Sequence, residues 1–215
     1  MTMRKRVGSI LFTVAAAGAI ASLSIGPALA STSLTVKVSG GGSYSAKAGM
    51  TVLSDNGVNV TCKSSKAAGK IASGKHHGAA PLKVGTTKTL SFSSCTSAGG
   101  TPAFTYHKLP YSVMANGKTV SGETAAIIKG TDVGVTLKGI GCSFTVTGNA
   151  SGYYSNTKHT LYITPRVPKK LHPVQKAQLT ISNESGNCLG AVTNGQHPTF
   201  TGTYKVNRKI KITSS

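Results

Sequence analysis

The chain has 215 residues, with 24 Lys or Arg against 4 Asp or Glu and a formal charge of +20. With 26 Gly, no Trp and 39% hydrophobic residues, it is neither a coiled coil, a collagen nor a polytopic membrane protein. Asp55, Glu123, Asp132 and Glu184 are all the acids there are, which argues against any mechanism built on paired carboxylates.

The first thirty residues read as a cleaved export signal. Arg4, Lys5 and Arg6 form a positive start, an apolar run follows from Ile10 to about Ile25, and Pro27-Ala28-Leu29-Ala30 supplies a small-x-small cleavage pattern. Cutting after Ala30 leaves 185 residues with 21 bases, 4 acids and a charge of +17. Nothing later is apolar for the ~18 residues that a membrane-spanning helix requires. The remaining chain, residues 31–215, is expected to be soluble and secreted or envelope-associated.

From there the pattern is one of short alternating runs. Ser33-Leu34-Thr35-Val36-Lys37-Val38 alternates polar and apolar side chains, as a strand with one buried face should. Similar runs follow at 50–53, 58–62, 90–92, 103–106, 133–137, 142–146, 161–163, 179–181 and 200–206. Thr, Val, Tyr and Ile dominate them, which suits a half-buried pleated surface. Asp55-Asn56-Gly57, Asn116-Gly117 and Asn194-Gly195 supply the positive-φ residues that hairpin turns need. No stretch holds a 3.6-residue apolar period long enough for an ordinary helix. The expected fold is all-β, a disulfide-stapled antiparallel sandwich or barrel. One domain is favoured. The alternative is two halves split near residue 130, and 165–173, rich in Pro and Lys, could be either a linker or a long loop.

Cys62, Cys95, Cys142 and Cys188 form an even set in an exported chain, which reads as two disulfides. Four cysteines permit three pairings; the sequential one, Cys62 with Cys95 and Cys142 with Cys188, is the expectation. Without a Cys-x-x-Cys pair, metal binding is the poorer reading.

Leu53 to Cys62 (LSDNGVNVTC), GCSFTVTGNASGYYSN around Cys142, and Ile181 to Val206 (ISNESGNCLGAVTNGQHPTFTGTYKV) resemble a broad group of uncharacterised secreted actinobacterial proteins with a signal peptide and four spaced cysteines. The resemblance covers most of residues 31–215. It implies a β-rich exported domain and brings no catalytic residue with it.

Catalytic motifs are weak. Gly69 to Lys75 matches seven positions of a phosphate-binding loop, but His76 stands where Ser or Thr must hold Mg²⁺. Ser155-Asn156-Thr157-Lys158 and Ser54-Asp55-Asn56 match two penicillin-recognising motifs in reversed order, with no Lys-Thr-Gly. His76-His77 is the most metal-like pair, yet neighbours on a strand point to opposite faces. No catalytic residue, cofactor or metal site is expected.

The charge is the stronger signal. Lys63, Lys66, Lys70, Lys75, Lys83 and Lys88 occupy an acid-free stretch; Lys169 and Lys170 lie in a second, and Lys205, Arg208, Lys209 and Lys211 form a third. Small domains remain soluble at a charge of roughly 2–8. Only Arg166 and Arg208 remain after the export signal, and the aromatics fall mainly at strand positions that should pack inward, so nucleic acid is not the expected partner. Lysine binds phosphate as a point charge. The expected function is non-enzymatic attachment to an anionic envelope, with teichoic acid or anionic lipid as partner. A secreted inhibitor or binding module for a protein or small ligand is the alternative, and an unrecognised hydrolase the third reading.

Overall fold

The computed structural model describes Thr32–Ser215; the expected export signal lies outside the described residues. Thirteen strands and one 3-10 turn (Lys169–Leu171) follow in chain order: β1 (Ser33–Ser39), β2 (Gly42–Asp55), β3 (Val58–Ile71), β4 (Gly74–Ala79), β5 (Leu82–Thr96), β6 (Pro102–Tyr106), β7 (Tyr111–Val120), β8 (Glu123–Leu137), β9 (Cys142–Ser155), β10 (Thr160–Ile163), β11 (Leu179–Gly186), β12 (Thr199–Val206) and β13 (Lys211–Ser214). The fold is all-β, and of the two expected architectures it is the barrel. Strands run β8-β9-β10-β12-β2-β3-β5-β7 and return to β8, every pairing antiparallel. Closure leaves these eight without a free edge. β6 and β11 extend the β8–β9 hairpin on either side.

Alternation decides which face is inside. On β12, Gly202 and Tyr204 are buried while Thr201, Thr203 and Lys205 are exposed; on β2, Ala46 and Ala48 are buried and Ser45 and Lys47 exposed. The wall is thus apolar within and polar without, the reverse of a barrel that faces lipid. Among the described residues, no helix is long and apolar enough to cross a membrane.

A separate sheet, β13-β1-β4, covers one end of the barrel. Leu34, Val36 and Val38 of β1 and Ile212 of β13 pack with Ile71, Val84, Val113 and Tyr154 from the barrel. Polar ties fix its position: Tyr154 donates to the Ile210 carbonyl at 2.8 Å, and Asn156 both donates to the Ile212 carbonyl and accepts from its N–H, each at 2.7 Å. At the other end Phe92 packs on Phe104 and Phe200, with ring centroids 4.9 and 5.8 Å apart. The two disulfides are Cys62–Cys95, joining directly opposed residues of β3 and β5, and Cys142–Cys188, joining β9 to the loop after β11.

The β2–β3 hairpin turns at Asn56 and Gly57, with φ of 35° and 90°, both positive as a type I′ turn requires. Asn116-Gly117 is a different case. It lies inside β7, and the β7–β8 hairpin turns five residues later at Ser121-Gly122. Asn116 is buried because it clamps another segment: its side chain donates to the Gln175 carbonyl at 2.7 Å and accepts from the Gln175 N–H at 3.0 Å. Residues 165–178 are thereby strapped across the outside of β7 and β8, with Leu171 buried beneath the 3-10 turn. Asn194-Gly195 turns within the β11–β12 loop rather than in a tight hairpin; Asn194 accepts from the Glu184 N–H.

Candidate polyanion-binding surface

β12, β2 and β3 are neighbours, and their register places Lys205 opposite Lys47 and Lys47 opposite Lys66. Each of the three lies between residues that face inward, so all point out of the barrel and are exposed. At a strand spacing of ~4.8 Å the row is about 10 Å across. Like charges directly opposed on one sheet face repel, and among the described residues no carboxylate pairs with them. Lys70 is two pleat repeats, about 13 Å, further along the same face of β3. Lys88 is the extra residue of β5 where its register against Ala68 and Gly69 shifts. Arg208 reaches back to donate to the Ser43 carbonyl at 3.3 Å, opposite Lys70.

The expected site residues therefore divide. Lys66, Lys70 and Lys88 share this face, and exposed Lys63 and Lys83 lie towards its two ends on β3 and β5. Lys75 belongs to the small end sheet, where it opposes Lys37 in a second like-charge pair. Lys169 and Lys170 sit on the strap over β7 and β8, away from the row, and Lys170 is paired with Glu123 at 3.0 Å. Lys47, the middle of the row, is isolated among small residues in the sequence, so charge clustering along the chain does not reveal it.

The acids lie elsewhere. Asp132 pairs with Lys108 at 3.2 Å and Glu123 with Lys170. Asp55 ends β2, about 26 Å along the strand from Lys47 at ~3.3 Å per residue. Burial raises the Asp55 carboxyl above its ordinary value, and His197 opposes that shift.

The remaining motifs resolve into local structure. Gly69–Lys75 runs from β3 into β4 with no helix after it. Gly69 is required by packing: a Cβ there would lie 1.9 Å from the Thr86 carbonyl oxygen. Ser155 ends β9 and bonds Thr157 across the turn at 3.2 Å, while the Lys158 ammonium lies 5.9 Å from the Tyr162 ring centroid. His77 meets Thr35 at 3.0 Å, and His76 instead meets the Ala72 carbonyl at 3.2 Å. Among the described residues, no three His, Cys, Asp or Glu side chains come together. Not all aromatics pack inward: Tyr153 and Tyr162, opposed on β9 and β10, stack with centroids 4.7 Å apart.

Burial pushes the phenols of Tyr106, Tyr154 and Tyr204 up to about 12. In the unfolded chain they ionise near pH 10. Between about pH 10 and 12 the unfolded state thus holds fewer protons than the native one, so stability falls as pH rises through that window. Urea unfolding should show a nearly constant contribution from these groups below about pH 9 and a loss above 10. Tyr204→Phe should flatten that decline, with phenolate absorbance as the direct check.

Comparison of the chain with family profiles, with curated proteins and with solved structures finds no match. A functional reading therefore rests on the residues themselves.

Proposed function

We propose that this domain is secreted and attaches, without catalysis, to a phosphate-rich anionic polymer of the cell envelope, of the teichoic acid kind. The observation that carries the reading is the row Lys205–Lys47–Lys66 on three adjacent strands. A surface charged only for solubility can intersperse both signs. Here three ammonium groups stand side by side at a cost in repulsion that a polyanion would relieve. Lysines on a rigid sheet act as point charges on successive phosphates without specifying a base or a sugar. The two disulfides suit an oxidising, extracytoplasmic setting.

The test is binding of residues 31–215 to purified wall sacculi, with and without teichoic acid, titrated from low to high NaCl. Binding should be lost both on stripping the polymer and on adding salt, because the exposed attraction is screened beyond ~8–10 Å at physiological ionic strength. Retention that ignores salt, or that persists after stripping, overturns the reading. Vesicles of anionic lipid form a separate arm; equal binding there would reassign the partner from polymer to membrane surface.

A further inference from the structure

The barrel interior is not filled. A cavity of about 160 Å³ remains, lined by side chains from all eight barrel strands. Its walls are almost wholly apolar, and Ala46, Ala126 and Ala150 stand at positions where larger side chains would close it. An apolar cavity of about 150 Å³ is large enough to admit benzene and stays dry when empty of ligand.

The hydroxyls in this wall fall into two groups. Those of Tyr44 and Tyr204 are bonded to Thr87 and Ser65, each at 2.8 Å, and those of Tyr111 and Tyr154 donate to the carbonyls of Asp132 and Ile210. The hydroxyls of Thr51 and Thr131 are buried and have no partner among the described residues, although both residues line the cavity. Thr51 is only 1% exposed. β2 and β8 stand four strands apart in either direction around the barrel, so the two orphan hydroxyls occupy opposite walls. Water is a poor occupant, since a buried water takes about three hydrogen bonds and two hydroxyls on opposite walls do not converge on one molecule.

We infer that the barrel cavity binds a benzene-sized, largely apolar molecule carrying a hydroxyl group, with the Thr51 hydroxyl as its hydrogen-bond partner. The apolar wall supplies contact on all sides of a ring, and the ligand hydroxyl satisfies a group that the fold leaves unpaired. At the end away from the small sheet the wall is formed in part by Phe92, Phe104 and Phe200, each half-buried.

The test uses p-cresol and toluene, alike in shape and differing in the hydroxyl, on residues 31–215. Both should shift the methyl resonances of Ala126, Val133 and Ala150, and their affinities should be indifferent to NaCl, unlike attachment to the polymer. Thr51→Val should weaken p-cresol about tenfold and leave toluene within about twofold, as loss of one hydrogen bond predicts. Thr51→Ser, which keeps the hydroxyl, should restore p-cresol binding. If neither compound moves the interior methyls, the cavity is not a binding site. If Thr51→Val weakens both equally, or if Thr51→Ser fails to restore p-cresol, the assignment of Thr51 is overturned. Either failure leaves the salt-dependent polymer reading untouched.

Discussion

Charge reversal of the row, K47E with K66E and K205E, is expected to lower wall retention at low salt by at least about a hundredfold. Each lysine near an anionic surface contributes about 1 kcal/mol, so losing three removes about 3 kcal/mol before the new repulsion is counted. A control triple, K118E with K129E and K138E, makes the same change in net charge on β7, β8 and the turn after β8, with β8 on the opposite wall from β2. It should retain most of the binding. Equal loss in both triples would mean that overall charge governs attachment and that the row is not a site. K47E alone should behave differently in stability. It places a carboxylate between Lys66 and Lys205, turning two repulsive cross-strand pairs into attractive ones, so urea unfolding should show a gain of up to about 1 kcal/mol. Lower retention combined with higher stability would distinguish a functional surface from a structural one.

Removing either disulfide by paired Cys→Ser substitution should cost about 4 kcal/mol of stability. Cys62–Cys95 spans a sequence separation of 33 and Cys142–Cys188 one of 46, and chain-entropy arguments give similar values for loops of these lengths. The consequences in the folded state should differ. Cys62 and Cys95 are already opposed within the β3–β5 ladder, which continues to hold them. Cys188 lies in the β11–β12 segment, where the bridge to Cys142 anchors a loop that belongs to no barrel strand, although Cys188 and Val192 are buried in the core cluster. Hydrogen exchange in C142S/C188S should therefore rise locally around residues 187–198. In C62S/C95S the ladder amides of β3 should keep their protection until global unfolding. Loss of β3 protection without global unfolding would show that the bridge, and not the ladder, holds that wall together.

Strand class was legible in most stretches where one face is buried and the other wet, although the short alternating β13 (KITS) was missed. All ten alternating runs lie within strands, although most of those strands are longer than the run. The segments that escaped are instructive. β7 is buried along most of its length, because residues 165–178 cover its outer side, so Tyr111–Val120 shows no alternation. β4 (GKHHGA) has almost no apolar side chains and is held by its ladder with β1. Asn116-Gly117 carries turn chemistry, but its side chain spends that chemistry on a distant backbone segment, and nothing local announces it.

By itself the sequence determined the all-β class, an even cysteine set that makes two disulfides, the Asn56-Gly57 hairpin and a strong excess of positive charge. These follow from period-2 patterning, cysteine count, positive-φ residues and composition, all of them local or additive. The sequential pairing of those cysteines is seen only in the structure. Tertiary structure alone decided that the sheet closes into a barrel and that Lys205, Lys47 and Lys66 form one row. It alone left Thr51 and Thr131 unpaired on opposite walls of a cavity. Those outcomes depend on strand order and register. Register comes from many weak ladder and packing terms acting between segments far apart in the chain, and no window of sequence contains their sum.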